Sequence, residues 1–163
     1  MVSPASGSPF YFTNSGNTLY TLNIATGALT SIGPLGFSIG GLWDLAFGPN
    51  GNLYASSNGN LYQVNTSTGA GTLIGSFGGG LEMQSIIAAD GVLYGFEGNG
   101  MYTINLTNAT ATFVRDTPAG LGNLDAEALV PGAAVPEPAT WPLVLSGLAL
   151  PAGLRLRRRR ENA

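Results

Sequence analysis

The 163 residues include 25 glycines but only 9% charged side chains, and they contain neither cysteine nor histidine. Disulfides, zinc sites of the Cys/His kind and histidine-activated nucleophiles are thereby excluded, and with all six basic residues being arginine so are Schiff-base lysines. Up to residue 131, Arg115 stands alone against Asp44, Glu82, Asp90, Glu97, Asp116, Asp125 and Glu127, a net charge of −6. Such a body repels a phosphate backbone, so nucleic acid is not expected as a partner. Glycine, Asn, Ser and Thr in place of Glu, Lys and Arg suit short strands and tight turns rather than helices.

Residues 1–9 carry no periodic apolar pattern and are expected to be a disordered N-terminus. Met1–Ser8 also has neither the basic start nor the apolar core of an export signal. The expectation is that the true N-terminus lies further upstream.

One pattern then occurs three times. Leu19-Tyr20-Thr21-Leu22-Asn23 is matched by Leu61-Tyr62-Gln63-Val64-Asn65, 42 residues on, and by Met101-Tyr102-Thr103-Ile104-Asn105, a further 40 on. In each copy the Tyr and the aliphatic residue two places later share one strand face. A turn follows, Ala25-Thr26-Gly27, Ser67-Thr68-Gly69 or Thr107-Asn108-Ala109, and a further strand closes on Ile32-Gly33, Ile74-Gly75 or Val114. Leu53-Tyr54 after Pro49-Asn50-Gly51 and Leu93-Tyr94 after Asp90-Gly91 add a second spacing of 40, with Asn-Gly and Asp-Gly as hairpin turns.

One unit therefore reads as four strands, Trp43–Phe47, Asn52–Ser56, Leu61–Asn65 and Gly71–Ile74, with Ser85–Ala88 opening the next. Four strands in about 40 residues correspond to one propeller blade, and the wording of the repeat resembles bacterial propeller repeats over roughly residues 10–131. The stretch from Phe10 to Gly33 supplies only the later three strands, and Glu127–Val130 repeats Leu45–Gly48 at an offset of 82. The two ends together are expected to complete one blade. The predicted fold is all-β: a partial β-propeller-like array of about three four-stranded repeats, an open arc, with a C-terminal hydrophobic helix.

Within that body the chemistry-bearing candidates are few. Asp125 and Glu127 share a strand face, where a carboxylate pair serves acid–base work, although a solvated edge is the plainer reading. Asp44 is expected to bond a local turn rather than a ligand. It is placed at the same repeat position as Gln84 and Ala126. Tyr20, Tyr62 and Tyr102 are expected to be core packing before a carbohydrate-stacking set. Asn65-Thr66-Ser67, Asn105-Leu106-Thr107 and Asn108-Ala109-Thr110 match the glycosylation acceptor pattern, as chance gives in an Asn- and Thr-rich chain. No cofactor is implied.

Beyond residue 131 the composition changes. A linker (132–138) ends in Val135, Pro136, Glu137 and Pro138, whose two prolines keep it extended. The segment from Ala139 to Leu154 is apolar and as a helix would measure about 24 Å, at the short limit of a membrane core of about 30 Å. Arg155, Arg157, Arg158, Arg159 and Arg160 follow; they reach the headgroups and favour the cytoplasmic side. Pro142 sits in the first turn of that helix, and Pro151 is expected to kink or end it.

A Pro-Glu-Pro motif, a short apolar segment and a basic terminus, in that order, resemble the PEP-CTERM sorting tail. Pro142 and Pro151 depart from the leucine-rich tails usual in that family. The resemblance implies a membrane-embedded exosortase as processing partner, acting near Pro136-Glu137-Pro138, and a host that makes exopolysaccharide. The body would lie outside the cytoplasmic membrane, transiently anchored through residues 139–163 with its C-terminus cytoplasmic. The expected function is that of an exported surface or extracellular-matrix protein that is not an enzyme and binds polysaccharide or another surface protein. The alternatives are a carboxylate-using propeller hydrolase or lyase, and a non-functional truncated fragment.

Overall fold

The computed structural model describes residues 10–14 and 16–118. These hold eleven strands: β1 (Phe10–Thr13), β2 (Thr18–Leu22), β3 (Leu29–Pro34), β4 (Trp43–Phe47), β5 (Leu53–Ser57), β6 (Asn60–Val64), β7 (Gly71–Ser76), β8 (Ser85–Ala89), β9 (Val92–Glu97), β10 (Gly100–Ile104) and β11 (Ala111–Asp116). They form three antiparallel sheets, β1-β2-β3, β4-β5-β6-β7 and β8-β9-β10-β11. We refer to these as the first, second and third units. The all-β reading and the three-strand first unit agree with the sequence, and strand ends differ from expectation by one or two residues. A closed ring is not formed by the described residues. The hydrophobic helix, the linker and the Glu127–Val130 strand lie outside them. The chain divides into Met1–Leu129 and Val130–Ala163. Among the described residues no helix is long and apolar enough to cross a membrane.

Two hydrophobic clusters hold the units together, one on each face of the second sheet. Leu19 and Leu35 meet Leu45, Leu53, Ala55 and Val64 on the side of the first unit. Ala46, Tyr54, Leu61, Phe77 and Met83 meet Ile86, Leu93, Ile104 and Ala109 on the side of the third. Leu53, Tyr54 and Ala55 thus point alternately into different clusters, and for that reason β5 is buried along its whole length. At this junction β4 and β8 lie side by side.

The turns explain the repeat. Asn23, Asn65 and Asn105 each accept, through Oδ1, the N–H two residues on, at 3.0, 2.8 and 2.8 Å. Their carbonyls accept the N–H of Gly27, Gly69 and Ala109, each at 2.8 Å. That last residue has positive φ in all three units, 71°, 82° and 64°, which glycine adopts freely and Ala109 does not. Asp90-Gly91 forms the two-residue hairpin expected of it, with φ 48° and 79°. At Asn50-Gly51 only Gly51 has positive φ. Asn58-Gly59, which sequence reading passed over, supplies another two-residue hairpin, with φ 48° and 73°.

The second and third units each dock their turn on the sheet before them. A Cβ on Gly33 would collide with the Thr68 carbonyl oxygen, and one on Gly75 would come within 2.5 Å of that of Asn108. Pairing register places Gly33 opposite Leu19, Gly75 opposite Leu61 and Arg115 opposite Met101. In the third unit, then, a long side chain occupies the place where the others need none. The turn of the first unit is not docked in this way: a Cβ on Gly27 meets nothing within 4 Å, and Ile24 beside it is 71% exposed.

Candidate functional site

Asp44 is not a local turn residue. Its Oδ1 accepts the Leu45 N–H at 2.7 Å and its Oδ2 accepts the Ile86 N–H of β8 at 2.9 Å; the Ser85 side chain also bonds to it. Ser56 Oγ accepts the Asp44 N–H at 2.9 Å and donates to the Met83 carbonyl at 3.3 Å. Burial pushes the Asp44 carboxyl above its ordinary range, against the opposing pull of the Ile86 and Leu45 N–H groups. With both oxygens held by backbone donors, this group ties two sheets together.

Register also corrects the repeat alignment. Asp44 pairs with Ser56 and Ser85 pairs with Phe96, so Ser85, and not Gln84, occupies the place of Asp44. The longer loop between β4 and β5 shifts the alignment by one residue. Gln84 instead accepts the Gly98 N–H at 2.8 Å.

Glu82 and Glu97 act similarly. Glu82 Oε2 accepts the Leu42 N–H at 3.3 Å, and Glu97 Oε1 accepts the Glu82 N–H at 3.2 Å. Among the described residues no three His, Cys, Asp or Glu side chains are grouped to hold a metal. Asp125 and Glu127 lie outside the described residues, as do Val135, Pro136, Glu137, Pro138, the segment from Ala139 to Leu154 and the arginine cluster.

The three tyrosines are half-buried, Tyr62 and Tyr102 packing against the two core clusters as expected, and their surroundings differ. Tyr62 stacks on Phe37 with centroids 3.8 Å apart, Tyr20 stacks on Phe12 at 5.4 Å, and Tyr102 meets Phe113 edge-on at 5.6 Å. Each is paired within its own protein surface, so they do not make one platform. Asn65, Asn105 and Asn108 use Oδ1 to hold their own turns.

Sequence reading missed a cleft of about 440 Å³ where the first and second units meet. Its aromatic side is Tyr11 and Phe47, edge-on with centroids 5.8 Å apart. Its polar side is Asn52, Gln63, Asn65, Thr66 and Ser67, and among the described residues no carboxylate lines it. Asn52 and Gln63 are exposed. The corresponding junction of the second and third units carries Val92, Thr103 and Leu106 at the places of Asn52, Gln63 and Thr66, and Leu106 packs on the core there. The same architecture thus carries apolar Val92 and Leu106 at one junction where the other carries polar Asn52 and Thr66. The signal was in the sequence as departures between copies of the repeat.

No protein-family model and no curated protein matches the chain. Among solved structures 29 chains match. One, described as "The de novo evolutionary emergence of a symmetrical protein is shaped by folding constraints", is 22% identical over 68% of this chain, with a TM-score of 0.45. The present chain spans 55% of the length of that one.

Proposed function

We propose that this is an exported surface or extracellular-matrix protein, brought to the membrane by a PEP-CTERM-like tail for exosortase to process, whose repeat body binds neutral polysaccharide in the cleft beside Tyr11 and Phe47. The observation that carries the binding role is the composition of that cleft. Sugar rings offer apolar C–H faces to aromatic side chains and hydroxyls to amides, and the cleft supplies both without a charge to desolvate. Asp44, Glu82 and Glu97 hold backbone N–H groups and are not among the residues of this cleft. The sorting role rests on the order of Pro136-Glu137-Pro138, the apolar segment and the arginines.

Binding is tested by calorimetry of the chain against a panel of soluble neutral glucans and galactans. At least one is expected to bind, with Phe47→Ala or Gln63→Ala weakening it tenfold or more. Release of reducing ends from the bound glycan would favour the hydrolase instead, and absence of binding across the panel would refute the cleft. Sorting is tested separately by adding a signal peptide and expressing the chain in a host with exosortase. Cleavage near Pro136-Glu137-Pro138 that vanishes on replacing those three residues by alanine supports it, and an uncleaved cytosolic product overturns it.

A further inference from the structure

Where one unit meets the next, the outer strand of the earlier one offers the same receiving surface. Gly33 and Gly75 leave room for the Thr68 and Asn108 carbonyls of the following turn, with which a Cβ would collide. Two residues on, Leu35 and Phe77 are buried, and their carbonyls accept the N–H of Gly71 and Ala111 at 2.8 and 3.1 Å. In the third unit Arg115 and Thr117 hold these two places. Arg115 pairs with Met101 as Gly75 pairs with Leu61, and the Thr117 N–H bonds the Asn99 carbonyl as that of Phe77 bonds Gly59. The backbone bonding is alike in both units, but the glycine and the apolar plug are both replaced.

The first unit presents a turn that such a surface would receive. Thr26 precedes Gly27 as Thr68 precedes Gly69 and Asn108 precedes Ala109, within turns closed by the same backbone bond, and Ile24 is 71% exposed. A free turn on the first unit and a receptive strand on the third would make a heterologous contact, which passes from copy to copy. We propose that Arg115 and Thr117 make β11 a cap: they turn away the first unit of a second copy and so keep the protein from growing head to tail. Exposed edges and stacked repeats need such a stop, because each added unit otherwise offers the same surface again. The block is steric. It resides in the Cβ at position 115, since a Cβ at the equivalent Gly75 would stand 2.5 Å from the incoming carbonyl oxygen.

The test is sedimentation velocity of full-length chains across a range of concentrations, with a mild non-ionic detergent covering the apolar segment from Ala139 to Leu154. Wild type is expected to keep one mass. Arg115→Gly with Thr117→Leu restores the receiving surface, and its mean mass should rise with concentration. Adding Ile24→Asp, which spoils the incoming turn, should return it to the wild-type mass. That triple variant still receives, so mixed with wild type it should form a 1:1 pair that grows no further. Arg115→Ala with Thr117→Leu should behave as wild type, because one Cβ is enough to collide. A folded Gly variant that stays at the wild-type mass overturns the proposal, as does an Ala variant that associates equally well. So does a wild type that lengthens with concentration until Ile24→Asp stops it. Gly75→Arg needs no association: it moves the block to the junction of the second and third units, where the Ala111 amide should exchange about tenfold faster. Unchanged protection there also overturns it.

Discussion

Asp44 on β4 and Ile86 on β8 belong to different sheets, and the Asp44 carboxylate joins them by accepting the Ile86 N–H at 2.9 Å. The same carboxylate holds the Leu45 N–H, and Ser56 holds that of Asp44, so three backbone donors where β4 meets β8 depend on two side chains. Removing either leaves buried donors without acceptors. Asp44→Ala or Ser56→Ala should each cost about 1–3 kcal/mol, measured by urea unfolding at neutral pH.

The pH dependence follows from the direction of the Asp44 shift. Because burial raises its pKa above 3.8 in the folded chain, the native state binds this proton more tightly than the unfolded state does. Its contribution to stability is therefore greatest below 3.8 and is lost as pH rises through the raised native value. Wild type compared with Asp44→Asn should show that difference shrinking with pH and then levelling. A difference that grows across the same range would contradict the shift.

Docking of a turn on a glycine gives a third prediction. Gly75→Ala places a methyl 2.5 Å from the Asn108 carbonyl oxygen, a backbone atom that yields only if the third unit moves. The cost should be about 1–3 kcal/mol, read from chemical denaturation. Leu73→Ala on the same strand, where the side chain is 57% exposed, should change little.

Ala109 tests the turn itself. It holds φ 64° where the equivalent residues are Gly27 and Gly69, yet its methyl is fully buried in the cluster between the second and third units. Ala109→Gly relieves roughly 1 kcal/mol of backbone strain and forfeits about 0.8 kcal/mol of methyl burial. Thermal unfolding should find the variant within about 0.5 kcal/mol of wild type by these opposing effects.

Phe77 is, after Tyr54, the largest buried side chain of the second cluster and sits in the connection between β7 and β8 rather than on a strand. Phe77→Ala should cost about 3–5 kcal/mol. It should also expose amides of both neighbouring sheets to hydrogen exchange, since the ring is shared between them.

The body's strands and turns were legible because their causes are local. A Tyr and an aliphatic residue two places apart define a strand face, Asn-Gly and Asp-Gly define hairpins, and a recurrence at 42 and 40 residues defines the unit. The one-residue error at Gln84 arose because a loop lengthened between β4 and β5, which spacing alone does not register. Tyr20, Tyr62 and Tyr102 look equivalent in sequence, but each meets a ring contributed by a different element, so equivalence of position did not give equivalence of surroundings.

What the sequence determined by itself is the all-β class, the unit and its turns, and the absence of thiol, imidazole and amine chemistry. The tertiary structure decided what depends on residues far apart in the chain: that Asp44 serves a neighbouring sheet, that Gly33 and Gly75 admit the next unit's turn, and that polar side chains around Tyr11 and Phe47 enclose a cleft. Short-range preferences settle a strand or a hairpin within a few residues. Which side chains meet across two sheets is settled only when both faces are packed, and no local pattern encodes that.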